Sequence, residues 1–250
     1  MTKSLNLVPV LLLGLAVPGP LQSQQPAESP PPTVIISSFK CDWNRIADIV
    51  AEAEAQLPYW EEQRAAGAIM ETGVYIHSYA DEWNVMRYIV APTMESAVGA
   101  NAAANGAFAE ANPASTAIID ACPAHRDNFY LAGATAGSES SATGGNPTLM
   151  MTFMQCETSR VGDVMAEFEN VVIPAYQALV DEGKVRSAAS FVHYWADEWN
   201  VGFGVVAEDI PSFLTAVQEA NSRIGERPVV AEACPVHKDG FYTVGPRTGG

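Results

Sequence analysis

The chain has 250 residues with 13 basic and 29 acidic side chains, a formal net charge of −16. A field of that sign repels phosphate backbones and anionic bilayer surfaces, which argues against nucleic acid or lipid headgroups as partners. The length allows two domains of about 100 residues each once the ends are set aside.

Residues 1–23 carry Lys3, an apolar run from Leu5 to Val17 broken by Pro9 and Gly14, then Pro18-Gly19-Pro20 and the small Ser23. This is the pattern of a secretory signal peptide cut after Ser23, too short and interrupted for a spanning helix, so no membrane anchor is expected after cleavage. Residues 24–33 (QQPAESPPPT) predict an extended, poorly ordered leader. Four cysteines at matching places in the two halves suit an oxidising compartment, hence a secreted or periplasmic protein.

The chain then repeats itself. HSYADEWNV at 77–85 returns as HYWADEWNV at 193–201, and DACPAHRDNFY at 120–130 returns as EACPVHKDGFY at 232–242. Internal self-similarity of this kind marks a duplicated folding unit whose copies pack on each other. The expected organisation is a first module at 34–133, a Gly/Ser/Thr linker at 134–146, a second module at 147–244 and a loose tail at 245–250.

Within each copy the predicted elements come in the same order. A short apolar strand (VIISSFKC, TLMMTFMQC) precedes a helical stretch, Trp43–Gly67 or Ser159–Gly183, in which Pro58 and Pro174 should kink or divide the helix. Two strands follow around an Asp-Glu turn, GVYIHSYA to WNVMRYIV and SFVHYWA to WNVGFGVV. Thr93 and Asp209 are placed to open a second helix, and a Cys-Pro-x-His segment leads into a last strand, NFYLAG or GFYTVG. The order is βαββαβ, and right-handed crossovers give an antiparallel sheet of order 4-1-3-2 with both helices on one face. The other face is bare and apolar, and the second copy is its natural cover.

On this element order and hairpin character, the chain resembles the dimeric α+β barrel superfamily of ferredoxin-like proteins, which contains antibiotic-biosynthesis-type monooxygenases and stress-responsive domains. The resemblance implies an α+β fold: two tandem ferredoxin-like βαββαβ modules packed sheet to sheet as an intrachain pseudo-dimeric α+β barrel. For activity it implies cofactor-free oxidation or isomerisation of a small molecule.

In the 4-1-3-2 order the end of the first strand lies beside the start of the last. That predicts the disulfides Cys41–Cys122 and Cys156–Cys234, each closing a loop of roughly 80 residues and contributing about 4–5 kcal/mol at most. The repeated Cys-x-x-His (Cys122 with His125, Cys234 with His237) raises a metal reading, but each copy holds too few ligands for a structural zinc site, and no metal is expected. No cofactor is expected either. Covalent haem attachment lacks its Cys-x-x-Cys-His motif, whereas haem handling in an internal void stays open if an axial ligand is present.

Strand alternation gathers Tyr75, His77, Tyr79, Asn84, Met86 and Tyr88 on one face of the first hairpin, and Phe191, His193, Trp195, Asn200, Gly202 and Gly204 in the second. The opposite face collects Ile76, Ser78, Val85 and Ile89, then Val192, Val201 and Val205, as a helix-covered core should. The aromatic face should therefore meet the other module. There it can form a pocket for a small apolar or aromatic molecule, with His193 and His77 as candidate proton-transfer groups and Asn84 and Asn200 as further polar contacts. Gly202 and Gly204 stand where the first copy has Met86 and Tyr88, which predicts a single asymmetric cavity beside His193. The competing reading is that this face is interface core of a non-catalytic structural or protein-interaction module. The carboxylates of the two Asp-Glu turns and the pairs His125/Asp127 and His237/Asp239 are read as local structural groups.

Overall fold

The structure is a computed structural model that describes residues 30–79, 82–137, 147–195, 198–226 and 228–249. The expected signal peptide, residues 24–29 of the leader and residues 138–146 of the linker lie outside the described residues. In the first half the elements are β1 (Thr33–Lys40), α1 (Ile46–Ala65), β2 (Glu71–His77), β3 (Val85–Ala91), α2 (Met94–Ala111), α3 (Ala117–Ala121) and β4 (Ala124–Gly137). In the second they are β5 (Thr148–Gln155), α4 (Val161–Glu167), a π-helical turn (Phe168–Val172), α5 (Ile173–Asp181), β6 (Ser187–His193), β7 (Val201–Ala207), α6 (Ile210–Ile224), α7 (Pro228–Ala233) and β8 (Val236–Arg247).

The strands close into one antiparallel barrel in the order β1-β3-β2-β8-β5-β7-β6-β4. Strands of the first half are neighbours in the order 4-1-3-2 and those of the second follow the same pattern. Two antiparallel seams, β2 with β8 and β4 with β6, join the halves, so the barrel has no unpaired edge. The last strands run longer than their sequence signal. β4 continues to Gly137, four residues into the expected linker, and β8 to Arg247, into the expected tail, because the seams supply backbone partners there.

The helices cover the outside. Val201, Val205, Phe168, Tyr176 and Phe213 pack in one apolar cluster beneath the second helical layer, and Ile35, Ile89 and Trp60 pack with alanines of α2 beneath the first. Thr93 caps α2 through a reciprocal pairing with Ser96, and Asp209 caps α6 by accepting from the Ser212 amide at 2.8 Å.

Pro58 does not divide α1, which is continuous. Pro58 and Glu54, whose carbonyl loses its partner, are both exposed, so water can satisfy the freed group. In the second half the helix is interrupted by the π turn. Pro58 lies seventeen residues after Cys41 whereas Pro174 lies eighteen after Cys156, so the widened turn absorbs one extra residue without rotating the helix off the sheet.

The short helices α3 and α7, five and six residues long, had no periodic signal to reveal them. A carboxylate, buried at Glu52 and half-buried at Glu167, holds the start of each. Glu52 accepts from the Ala117 amide and the Ser115 hydroxyl, both at 2.8 Å, and Glu167 accepts from the Val230 amide at 2.8 Å. Both disulfides form as the strand order requires, Cys41–Cys122 and Cys156–Cys234. The thiolates of the Cys-x-x-His segments are thereby committed, which removes the zinc reading.

Candidate functional site: the barrel interior

Strand alternation puts Tyr75, Met86, Tyr88 and Phe191 inside the barrel, buried in one cluster with Tyr130, Leu149, Met151 and Val206. Glycines on adjacent strands, or two residues away on the same strand, make room for the rings. A Cβ on Gly73 would fall 2.8 Å from the Tyr88 ring, one on Gly240 2.8 Å from Tyr242, and one on Gly202 only 1.8 Å from Phe191. Gly202 therefore does not open a void as expected, because the Phe191 ring occupies that space.

A cavity of about 600 Å³ remains at one end of the barrel. Tyr75, Tyr88, Leu149, Met151, Phe191 and Gly204 are on its wall, and it opens where β1, β5 and β6 begin, away from the disulfides. Volume and lining match the range of small-molecule sites. Among the described residues its charged wall groups are Arg64 and Glu71, and its hydroxyls include Thr135, Ser187 and Ser190. Ser190 is committed to the Ala134 carbonyl at 3.1 Å.

Thr248 and Gly249 border this opening. Thr248 donates its amide to the Thr72 carbonyl at 2.9 Å and accepts from the Thr72 amide at 3.0 Å, while Gly249 donates to Glu61 at 2.7 Å. Partial burial pushes the Glu61 carboxyl up, but hydrogen bonds from Arg64 and Gly249 outweigh it and hold the group below its usual range.

Several expected site residues are elsewhere. His77 and His193 close β2 and β6 at the opposite end of the barrel and are not on the cavity wall. Each imidazole is held locally. His77 Nδ1 pairs with the Tyr79 carbonyl at 2.6 Å and its ring stands edge-on to Tyr242, while His193 Nδ1 pairs with the Trp195 carbonyl and its ring stands edge-on to Tyr130. Tyr130 and Phe191 lie between His193 and the cavity. Tyr79 and Trp195 are 59% and 54% exposed because they follow the last rungs of their strands, where alternation no longer applies. Asn84 and Asn200 are buried, but both are pinned to the backbone of a disulfide cysteine rather than offered to a ligand. None of His77, His125, His193 and His237 is on this wall, so it offers haem no axial imidazole.

A second cavity of about 550 Å³ lies outside the barrel, between the sheet of the second half and its helices, walled by Phe168, Tyr176, Phe203 and Phe213. His237 and Asp239 are on its rim. His237 Nε2 is 3.6 Å from an Asp239 oxygen, and the Thr152 hydroxyl donates to the other at 2.6 Å. The sequence singled out this His–Asp pair but offered no signal that it borders a cavity. In the first half Arg87 replaces Phe203 in the strand and reaches Asn101 and Asn105, and burial pushes its pKa down while Asp127 opposes that shift. The two helix-covered cores are thus chemically different.

No protein-family profile and no curated protein matches this chain. Solved structures do. A "putative monooxygenase" from Lactobacillus acidophilus superposes with a TM-score of 0.65 at 10% identity, covering 87% of this chain and 95% of that one. One of the same description from Fusobacterium nucleatum gives 0.64 at 11% identity, covering 87% and 94%. A chlorite dismutase variant from Candidatus Nitrospira defluvii gives 0.53 at 11%, covering 86% and 92%. Such identities speak for shared architecture alone. By fold, this chain is a dimeric α+β barrel of the ferredoxin-like type, with all eight strands supplied by a single polypeptide.

Proposed function

We propose that the protein is an extracytoplasmic carrier or receptor of a small, largely uncharged apolar or aromatic molecule, held in the barrel between two tandem ferredoxin-like modules. The observation that carries this reading is the 600 Å³ cavity walled by Tyr75, Tyr88, Phe191, Leu149 and Met151. A space of that size in an otherwise close-packed barrel forfeits packing energy unless something fills it. The location outside the cytoplasm is supported by the two disulfides and by the signal-like composition of residues 1–23. The test is native mass spectrometry of protein from its own source, with titration of the uncharged fluorophore N-phenyl-1-naphthylamine. One retained or bound molecule per chain is expected, and an empty protein that leaves the fluorophore dark would instead support the purely structural module.

A catalytic reading, a monooxygenase-like or isomerase-like step, has a different support: His237, paired with Asp239, borders the 550 Å³ cavity, whereas His193 is on the wall of neither cavity described above. An enzyme of this kind would use the 550 Å³ cavity, with His237 as proton acceptor. Oxygen uptake with a panel of phenols, lost in His237→Ala and kept in His193→Ala, is the expected signature. Equal activity in both variants would remove His237 from the role.

A further inference from the structure

The cavity is bounded on one side by a residue that its sequence counterpart would have filled. Across the first half one interior row of the barrel runs Ile36, Tyr88, Gly73 on β1, β3 and β2. The corresponding row of the second half runs Met151, Gly204, Ala189 on β5, β7 and β6. In the closed order β3 is second of eight and β7 sixth, so Tyr88 and Gly204 face each other across the barrel. The Tyr88 ring lies over Gly73 and stacks on Tyr75 with centroids 4.9 Å apart at an interplanar angle of 16°. At Gly204 there is no ring. A Cβ there would first meet the side-chain ends of Leu149 at 3.3 Å and Met151 at 3.5 Å, while the Phe191 ring lies over Gly202.

The space is therefore a slot with unequal walls. One wall is the stacked pair Tyr75 and Tyr88, and the facing one is small: Gly204, Ala189 and, across the β4–β6 seam, Thr135. Two low-relief walls admit a plate better than a sphere, and an aromatic wall favours a π-system over an alkyl one. An ionised group inside would lose hydration with no opposite charge nearby except Arg64 and Glu71 at the opening, so the buried part of an occupant should be neutral. Ser187 and Thr135 leave room for one hydrogen-bonding group.

On this basis, and resting on the ligand-binding reading above, we infer that Gly204 is the ring-receiving position of the barrel and that the occupant is a planar, uncharged aromatic molecule carrying a hydroxyl or carbonyl group. Gly204 sets the size limit: any side chain there reoccupies the slot.

The test compares 2-naphthol with 1-adamantanol, a globular alcohol with the same number of carbons, by calorimetry on the full chain and on Gly204→Phe and Gly204→Ala. The expected result is one 2-naphthol per chain, bound about two- to tenfold more tightly than adamantanol, the range to which one aromatic stacking contact corresponds. Gly204→Phe should abolish this binding with an unchanged circular dichroism spectrum, and Gly204→Ala should weaken it. Should Gly204→Phe fail to fold, Gly204→Ala carries the comparison, because its Cβ meets only flexible side-chain ends. Equal affinity for the two alcohols overturns the planar-aromatic assignment while leaving a barrel ligand in place. Naphthol binding that ignores both substitutions overturns the role of Gly204. Binding of neither alcohol, with the fluorophore also dark, overturns the inference together with the reading beneath it.

Discussion

Asn84 clamps the backbone of Cys41 from both sides: its side-chain oxygen accepts from the Cys41 amide and its side-chain nitrogen donates to the Cys41 carbonyl, each at 2.9 Å. Asn200 does the same to Cys156 at 2.9 and 2.8 Å. Each clamp ties a hairpin to the end of the first strand of its half, beside a disulfide. Asn84→Ala and Asn200→Ala should each cost about 2–3 kcal/mol, since two buried backbone groups lose their partners. Denaturant melts measure this, and probe affinity should not move, because neither asparagine is on the cavity wall.

The paired glycines of β7 should behave oppositely. Gly202→Ala drives a methyl group into the Phe191 ring and should cost about 1–3 kcal/mol through overpacking. Gly204→Ala should be near neutral in a thermal melt. Equal loss at both positions would show that the space beside Gly204 is not there.

His193→Ala should leave probe binding within about twofold of wild type, because a side chain that does not touch a ligand has no differential contact to lose. Phe191→Ala, by contrast, enlarges the chamber and should cost about 3–5 kcal/mol of stability.

Glu182 is held at about 2, well below its ordinary 4.5, by hydrogen bonds from Arg223 and then Lys184. A carboxylate with a depressed folded-state value contributes stability that is present above its ordinary value and lost as pH falls toward the folded one. The melting difference between wild type and Glu182→Gln should therefore be small but present near neutrality, shrink between pH 4.5 and about 2, and vanish below. The surface position of these groups keeps the effect modest and salt-sensitive.

Removing Cys156–Cys234 as a double serine variant should cost about 2–5 kcal/mol. The first half should be less affected than the second, a contrast that hydrogen exchange resolves.

Architecture was legible because its signals were regular. The repeat announced a duplicated unit, two-residue alternation sorted Ile89 and Val205 from Tyr88 and Phe191, and strand order alone paired the cysteines. Site details were not, because they depend on where alternation stops. Tyr79, Asn84, Trp195 and Asn200 all lie past a ladder's last rung, and their neighbours are set by turn geometry rather than period. A glycine in a strand signals an absent side chain but not what takes its place: a ring at 202, the flexible ends of Leu149 and Met151 at 204. The His237 cavity depends on how α6 and α7 sit over β8, which no local pattern records.

Joining the halves covalently has a consequence for what such a barrel can hold. Two identical subunits related by a twofold axis must present the same residue at both ends of any diameter through that axis, so each change made on one wall is imposed on the other. A single chain escapes that constraint and can carry tyrosine at 88 and glycine at 204. A chamber with an aromatic ring on one side and a bare glycine opposite is a geometry that two identical twofold-related subunits cannot offer.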